Sequence, residues 1–268
     1  MAKPDKGVHP PETALVIFAK APIPGEVKTR LCPPLTPDEA ASLHGSFVLD
    51  MLECSGRAAK QRGAGKSTVQ FDRFLACAPS SEHVFFKIME ERQGVRLIDQ
   101  IGDDLGARMD RAFTTIFTMG YGRVLLAGTD LPALSESTFA EGFRLLLDHD
   151  LVLGPAMDGG YFLIGLKRPA PQLFAGVPWS TDQVLTRTQR KADSFDLKTA
   201  LLPAERDIDT IDDLRALIHE CAQEARGKGQ GAKSGNKEKI ISHAIILSKR
   251  TAGALRLLAE RHKELAIL

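Results

Sequence analysis

Lys20, Lys28 and Arg30 stand together in KAPIPGEVKTR (20–30), directly behind the apolar run TALVIF (13–18). Three cations on one short loop suit a polyphosphate. Pro22 and Pro24 restrict the backbone and Gly25 permits dihedrals closed to other residues, so the three can be held converging on one anion. A solvated basic loop is the plain alternative, and the position between an apolar run and a helix start favours phosphate binding. Carboxylates recur behind other apolar runs. Asp130 follows RVLLAG in TDLP (129–132), where it could ligate Mg²⁺ or Mn²⁺ bridging to phosphate oxygens or simply cap a turn. Asp158 lies in GPAMDGGYFLIGL beside Gly159 and Gly160, which reads as a close approach of ligand or backbone, or as an ordinary Asp-Gly hairpin. In DIDTIDDL (207–214), Thr210 and Asp213 have the spacing of a capping box, which leaves Asp207 and Asp209 free, one of them as a second metal ligand. GDDLGARM (102–109), with Arg108, and WST (179–181) are weaker. Arg108 also reads as a helix-surface cation, and Ser180 and Thr181 as helix N-caps.

The elements that must position these groups alternate. TALVIF, FLACA (74–78), VRLI (95–98), RVLLAG (123–128) and DLVLGPA (150–156) read as buried strands. Between them lie helical segments: one capped by Thr36 with Pro37 first and running to about Lys60, then SEHVFFKIMEER, LGARMDRAFTTIF and SESTFAEGFRLLL. Such alternation implies crossover units and a largely parallel sheet, with the loops after the strands gathered at one edge, where open sheets bind ligands. YFLIGL (161–166) follows its predecessor too closely for a helical crossover and reads as an added strand that could run antiparallel. A helix near 182–194, a strand near 197–202 and a helix from Ile211 to about Arg226 complete the body.

GAGKST (63–68) imitates the end of a P-loop, but Lys60 holds the place of its first glycine, and the segment joins a helix to a strand rather than the reverse. It reads as a basic, glycine-capped helix end.

The 268 residues carry a net charge of +1, unevenly spread: ten Lys and Arg against three Asp and Glu fall between Arg226 and Leu268, which leaves the body acidic. An acidic body argues against nucleic acid as partner. Cys32, Cys54, Cys77 and Cys221 are too dispersed for a zinc cluster or disulfide framework, and no run approaches a signal peptide or membrane span, so the expectation is a reduced, cytoplasmic protein with no membrane partner. The expected organisation is one domain over 1–226, a flexible basic linker over 227–239 and an amphipathic helix over 240–268. That helix could pack on the body, form a homodimer or bind an acidic partner.

Taken in order, FAKAPIPGEVKTRL, GDDLGARM, GTDLP, GPAMDGGYFLIGL, the Trp179 segment and DIDTIDDL resemble the bacterial radical-SAM/selenodomain-associated transferases, also described as arsenosugar-biosynthesis glycosyltransferases. The resemblance covers about residues 13–220. It implies the nucleotide-diphospho-sugar transferase (GT-A) fold, a Rossmann-type three-layer α/β/α sandwich on a mostly parallel, mixed sheet. More distantly, the KTRL loop, GTDLP and DIDTIDDL resemble the guanylyltransferases of molybdenum-cofactor and deazaflavin-cofactor synthesis. These resemblances imply that Lys28 and Arg30 meet nucleotide phosphates, and Lys20, Gly25 and Arg108 are expected to join them. They also imply that Asp130 holds the metal, Mg²⁺ or Mn²⁺, and that Asp209 completes its shell; Asp158 is expected to orient the acceptor or act as base. The implied reaction is glycosyl transfer from a nucleotide-sugar to a small acceptor. The alternative is nucleotidyl transfer from a nucleoside triphosphate with release of pyrophosphate, which is favoured by Gly128-Thr129-Asp130 standing where many glycosyltransferases of this fold have Asp-X-Asp.

Overall fold

The computed structural model describes residues 12–60, 69–227 and 247–265. GAGKST and most of the expected linker lie outside the described residues. Seven strands form one sheet in the order β3-β2-β1-β4-β6-β5-β7: β1 Thr13–Lys20, β2 Asp72–Ala78, β3 Arg96–Asp99, β4 Arg123–Ala127, β5 Leu151–Pro155, β6 Tyr161–Leu166 and β7 Thr199–Leu201. β1 pairs in parallel with β2 and β4, β2 with β3, and β5 with β7, whereas β6 runs antiparallel to both β4 and β5. The short link between β5 and β6 leaves room for a hairpin but not for a helical crossover, and β6 is thereby inserted beside β4.

β1 is buried along its length except at Lys20, as befits a strand covered on both sides. Leu15, Ile17, Leu75, Leu125, Val152 and Leu163 face one layer with α1 Pro37–Lys60, α2 Val84–Gln93 and α4 Glu136–Leu145. Val16, Phe74, Leu126, Leu153 and Ile164 face the other, with α3 Leu105–Thr118 and α5 Val184–Ser194. The result is the expected three-layer α/β/α sandwich on a mixed sheet.

A third apolar cluster lies outside α1. There Leu43 and Phe47 meet Leu214 and Leu217 of α6 Ile211–Gly227 and Leu255 and Leu258 of α7 Lys249–Arg261. Arg250 of α7 reaches back to Asp50 at 2.8 Å and Glu53 at 2.6 Å, so the apolar stripe of the C-terminal helix is spent on its own chain and Leu257 stays exposed. The expected capping box of Thr210 and Asp213 forms, and the Thr36 cap proves to be one as well, exchanging hydrogen bonds with Glu39. The Ser180 and Thr181 caps do not. α5 begins at Val184 with Gln183 at the cap position, because the Thr181 hydroxyl donates to Pro178 O and accepts from Gln183 N in a turn of its own.

Candidate functional site

The order β3-β2-β1-β4 reverses its direction of growth between β1 and β4, and crevices at such reversals are where open sheets bind ligands. A cleft of about 680 Å³ opens there. Its walls come from the end of β1 and its loop (Lys20, Lys28, Arg30), the end of β4 (Thr129, Asp130), the β5–β6 turn (Asp158), the Trp179–Asp182 loop, and Asp207 and Asp209 before α6. A larger groove of about 930 Å³ runs along α4 beside Leu202–Glu205. Its arginines are already paired, Arg123 with Glu12 and Arg144 with Glu141, which makes the smaller cleft the better candidate.

Lys28 is the centre of the cleft. It sits in the left-handed region at φ 49°, at the start of a short 3-10 turn over Thr29–Leu31, and its side chain is 4% exposed. Its Nζ lies 2.5 Å from Asp130 Oδ1 and 2.8 Å from Asp209 Oδ1, and donates to Ile208 O at 2.7 Å. Two of the ammonium's three N–H donors go to Asp209 Oδ1 and Ile208 O, and its charge is shared with Asp130 through the ion pair. Burial alone would lower its pKa; Asp130 and Asp209 more than offset that, and the net direction is upward. The backbone reinforces the junction, since Ile208 N donates to Asp130 O at 3.0 Å.

The remaining predicted residues divide. Lys20 and Arg30 are exposed on the cleft wall. Gly25 takes φ +82°, which lets the loop turn back, but it does not line the cleft. Arg108 is not brought into the cleft either: its Nε donates to Gly102 O at 3.0 Å. Asp158 lines the cleft, and its Oδ1 accepts from Gly160 N at 2.8 Å. The close backbone approach expected at its glycines is internal to the protein. Gly159 has φ +90°, and a Cβ there would lie 2.2 Å from Asp182 O, so this turn carries the Trp179–Asp182 loop.

His44 and Gln100 are missing from the sequence-based site. His44, on α1, is 5% exposed and donates from Nε2 to Lys20 O at 3.1 Å. Its Nδ1 has no partner and lies 4.0 Å from Asp130 Oδ1. Burial pushes its pKa down, and nearby Asp130 only partly counters this, so the neutral ring presents a lone pair toward the aspartate. A polar residue on the otherwise apolar stripe of Leu43, Phe47 and Met51 was the available signal. Gln100 Nε2 donates to Ala19 O and Ala76 O, closing the ends of β1 and β2; nothing local in the sequence marks it.

Asp207 is the perturbed acid of the site, its pKa raised to about 6 by burial and then by Asp158, Asp209 and Asp130. Negative charge therefore exceeds what Lys28 neutralises. A carboxyl whose folded pKa exceeds its unfolded value loses stability as pH rises between the two, here from the ordinary carboxylate range to about pH 6, and the loss then stays constant. Asp207→Asn is therefore expected to stabilise the protein by about 1 kcal/mol at pH 7.5, after discounting for partial exposure. It should have no effect at pH 3.5, as read by urea unfolding at the two pH values.

Oxygen donors of this kind suit Mg²⁺ or Mn²⁺, and the carboxylates of Asp130 and Asp209 already converge on a single cation. Among the described residues no group of three or more His, Cys, Asp or Glu is gathered closely enough to hold a metal ion by itself. The pair fits such an ion with water or substrate oxygens completing the shell.

A crystal structure from Desulfovibrio desulfuricans G20, described provisionally as a nucleotide-diphospho-sugar transferase, aligns with 96% of this chain and 100% of its own at 29% identity and a TM-score of 0.75. The fold is that of the nucleotide-diphospho-sugar transferases. Residues 64–181 match the family described as uncharacterized protein conserved in bacteria (DUF2064). Weaker similarities reach a cytidylyltransferase from Leptospira borgpetersenii serovar Hardjo-bovis, at 15% identity, TM-score 0.48 and 95% and 96% coverage of this chain and its own. A Mycobacterium tuberculosis H37Rv protein solved in complex with manganese gives 15%, 0.44, 78% and 98%. A comparison with curated proteins returns no match. No helix among the described residues is long and apolar enough to cross a membrane.

Proposed function

We propose that the protein is a Mg²⁺- or Mn²⁺-dependent glycosyltransferase that moves a sugar from a nucleotide-diphosphate-sugar to a small acceptor. The observation that carries this reading is the junction of Asp130 and Asp209 at the β1/β4 reversal, with exposed Lys20 and Arg30 on the adjoining wall. The likeness to the Desulfovibrio structure supports the substrate class. Lys20 and Arg30, joined by Lys28, would bind the diphosphate, and Gly25 would let their loop close on it. Arg108 would assist only by moving from Gly102 O. Asp130 and Asp209 would hold the divalent cation, whose chemistry is to neutralise charge developing on the leaving diphosphate. Asp158 would orient the acceptor hydroxyl and take its proton as that oxygen bonds to the anomeric carbon and the nucleoside diphosphate departs.

Gly128-Thr129-Asp130, with its single carboxylate, favours a second reading on the same residues: an acceptor phosphate attacks the α-phosphorus of a nucleoside triphosphate and pyrophosphate leaves. Incubation with panels of nucleotide-sugars and of triphosphates, each with Mn²⁺, separates the two. Release of nucleoside diphosphate from a nucleotide-sugar is the expected result, and acceptor-dependent pyrophosphate release from a triphosphate would replace the first reading with the second. Both readings place the protein in the cytoplasm without nucleic-acid or membrane partners, in one transferase domain over 1–226 followed by a basic linker and the C-terminal helix. A homodimer through α7 would have to use the face bearing Leu257. The radical-SAM and arsenosugar association of the resembling family is the metabolic setting proposed for the acceptor.

A further inference from the structure

Lys28 cannot serve a phosphate from where it stands. Its Nζ donates to Asp209 Oδ1 and Ile208 O, Asp130 Oδ1 faces it at 2.5 Å as an ion-pair partner, and its side chain is only 4% exposed. Nor can the two carboxylates be left without a cation. Asp158 and Asp207 line the same cleft, and His44 turns an unpartnered Nδ1 toward Asp130 from a site that is 5% exposed. One cation is therefore required at this point, and Lys28 supplies it. Lys28 has a flexible four-carbon stem, so its ammonium can leave while its backbone stays at the head of the 3-10 turn.

We propose that Lys28 and a divalent cation are alternative occupants of the Asp130–Asp209 pair, so that entry of the metal drives the ammonium off both carboxylates and frees it to meet the substrate's phosphates. This inference rests on the proposed role of that pair in holding the cation. It makes Lys28 a built-in counter-ion that keeps the carboxylates converged in the free protein and releases a phosphate-binding cation only once the metal has arrived. Lys20 and Arg30, exposed on the same wall, need no such release.

Two measurements on the full chain test this, with Mn²⁺ alone and no nucleotide. In the first, Mn²⁺ is titrated into wild type, Lys28→Met and Asp130→Asn, and free Mn²⁺ is followed by electron paramagnetic resonance. Lys28→Met is expected to bind at least tenfold more tightly than wild type, because the competitor is gone and the carboxylates remain. Binding that is equal, weaker or absent in Lys28→Met overturns the competition. Asp130→Asn binding as tightly as wild type would instead refute the pair as the cation site. The second measurement uses wild type only and decides the matter if Lys28→Met does not fold. Reductive methylation of Lys28, read by peptide mass spectrometry, is expected to be slow without metal and at least fivefold faster with saturating Mn²⁺, while exposed Lys20 serves as the reference. An unchanged Lys28 rate with Mn²⁺ bound overturns the proposal.

Discussion

Asp130→Asn is expected to lower kcat by a hundredfold or more and to remove the dependence on Mn²⁺. The carboxylate stands just beyond the C-terminal end of β4, its Oδ1 2.5 Å from Lys28 Nζ and its backbone oxygen bound by Ile208 N at 3.0 Å. Asparagine has the same shape but no charge, so the change removes the electrostatic contribution at the point where leaving-group charge develops. Losses of about 10²–10³ in kcat accompany removal of a single such group. The fold should survive, because Asp209 Oδ1 and Ile208 O still hold Lys28. Steady-state kinetics across a Mn²⁺ series, with a thermal melt to show that the variant is folded, form the check. Wild-type turnover with wild-type metal dependence would remove Asp130 from the mechanism.

Gly159→Ala is expected to have the largest effect on stability, about 3 kcal/mol of destabilisation. Two penalties coincide there. The residue has φ +90°, and its added Cβ would lie 2.2 Å from Asp182 O and 2.6 Å from Asp182 Cα, which are backbone atoms that cannot step aside as a side-chain tip can. Leu185 N also donates to Gly159 O at 2.9 Å, tying the turn to the start of α5. Gly120→Ala separates the two penalties: Gly120 has φ +96° with nothing within 4 Å of the added methyl, so it should cost only about 1 kcal/mol. Urea unfolding of both variants gives the comparison. Equal losses in the two would show that the Asp182 contact carries no weight. If the chain instead yields by moving the Trp179–Asp182 loop, Gly159→Ala should also lose ligand affinity, since that loop forms one wall of the cleft.

The strands, the helices and their alternation are legible in the sequence because they follow from local periodicity and from caps such as Thr36–Glu39 and Thr210–Asp213, whose partners are three residues apart. The place of YFLIGL as an antiparallel strand follows from the shortness of its connection to β5. The start of α5 was not legible in this way. Ser180 and Thr181 have the right side chains for a cap, but Ser180 takes φ +63° and the Thr181 hydroxyl is engaged with Pro178 O. Cap chemistry reports what a residue can do, whereas the backbone around it decides what it does.

The sequence by itself determined which loops follow which strands. It therefore determined that the basic loop after β1, Asp130, Asp158 and the aspartates before α6 would gather at one edge of the sheet, because crossovers in a parallel sheet have one hand and strand ends share one side. Only the tertiary structure decided what those groups do to one another. Lys28 and Asp209 are 181 positions apart, and no local pattern records that the ammonium is paired with the two carboxylates rather than held toward solvent. The same holds for His44, which α1 brings beside Asp130, and for Asp207, whose proton affinity is set by burial and by three other aspartates. Contacts of that kind depend on the packing of distant segments, and charges buried together settle their pairing only once the chain has folded around them.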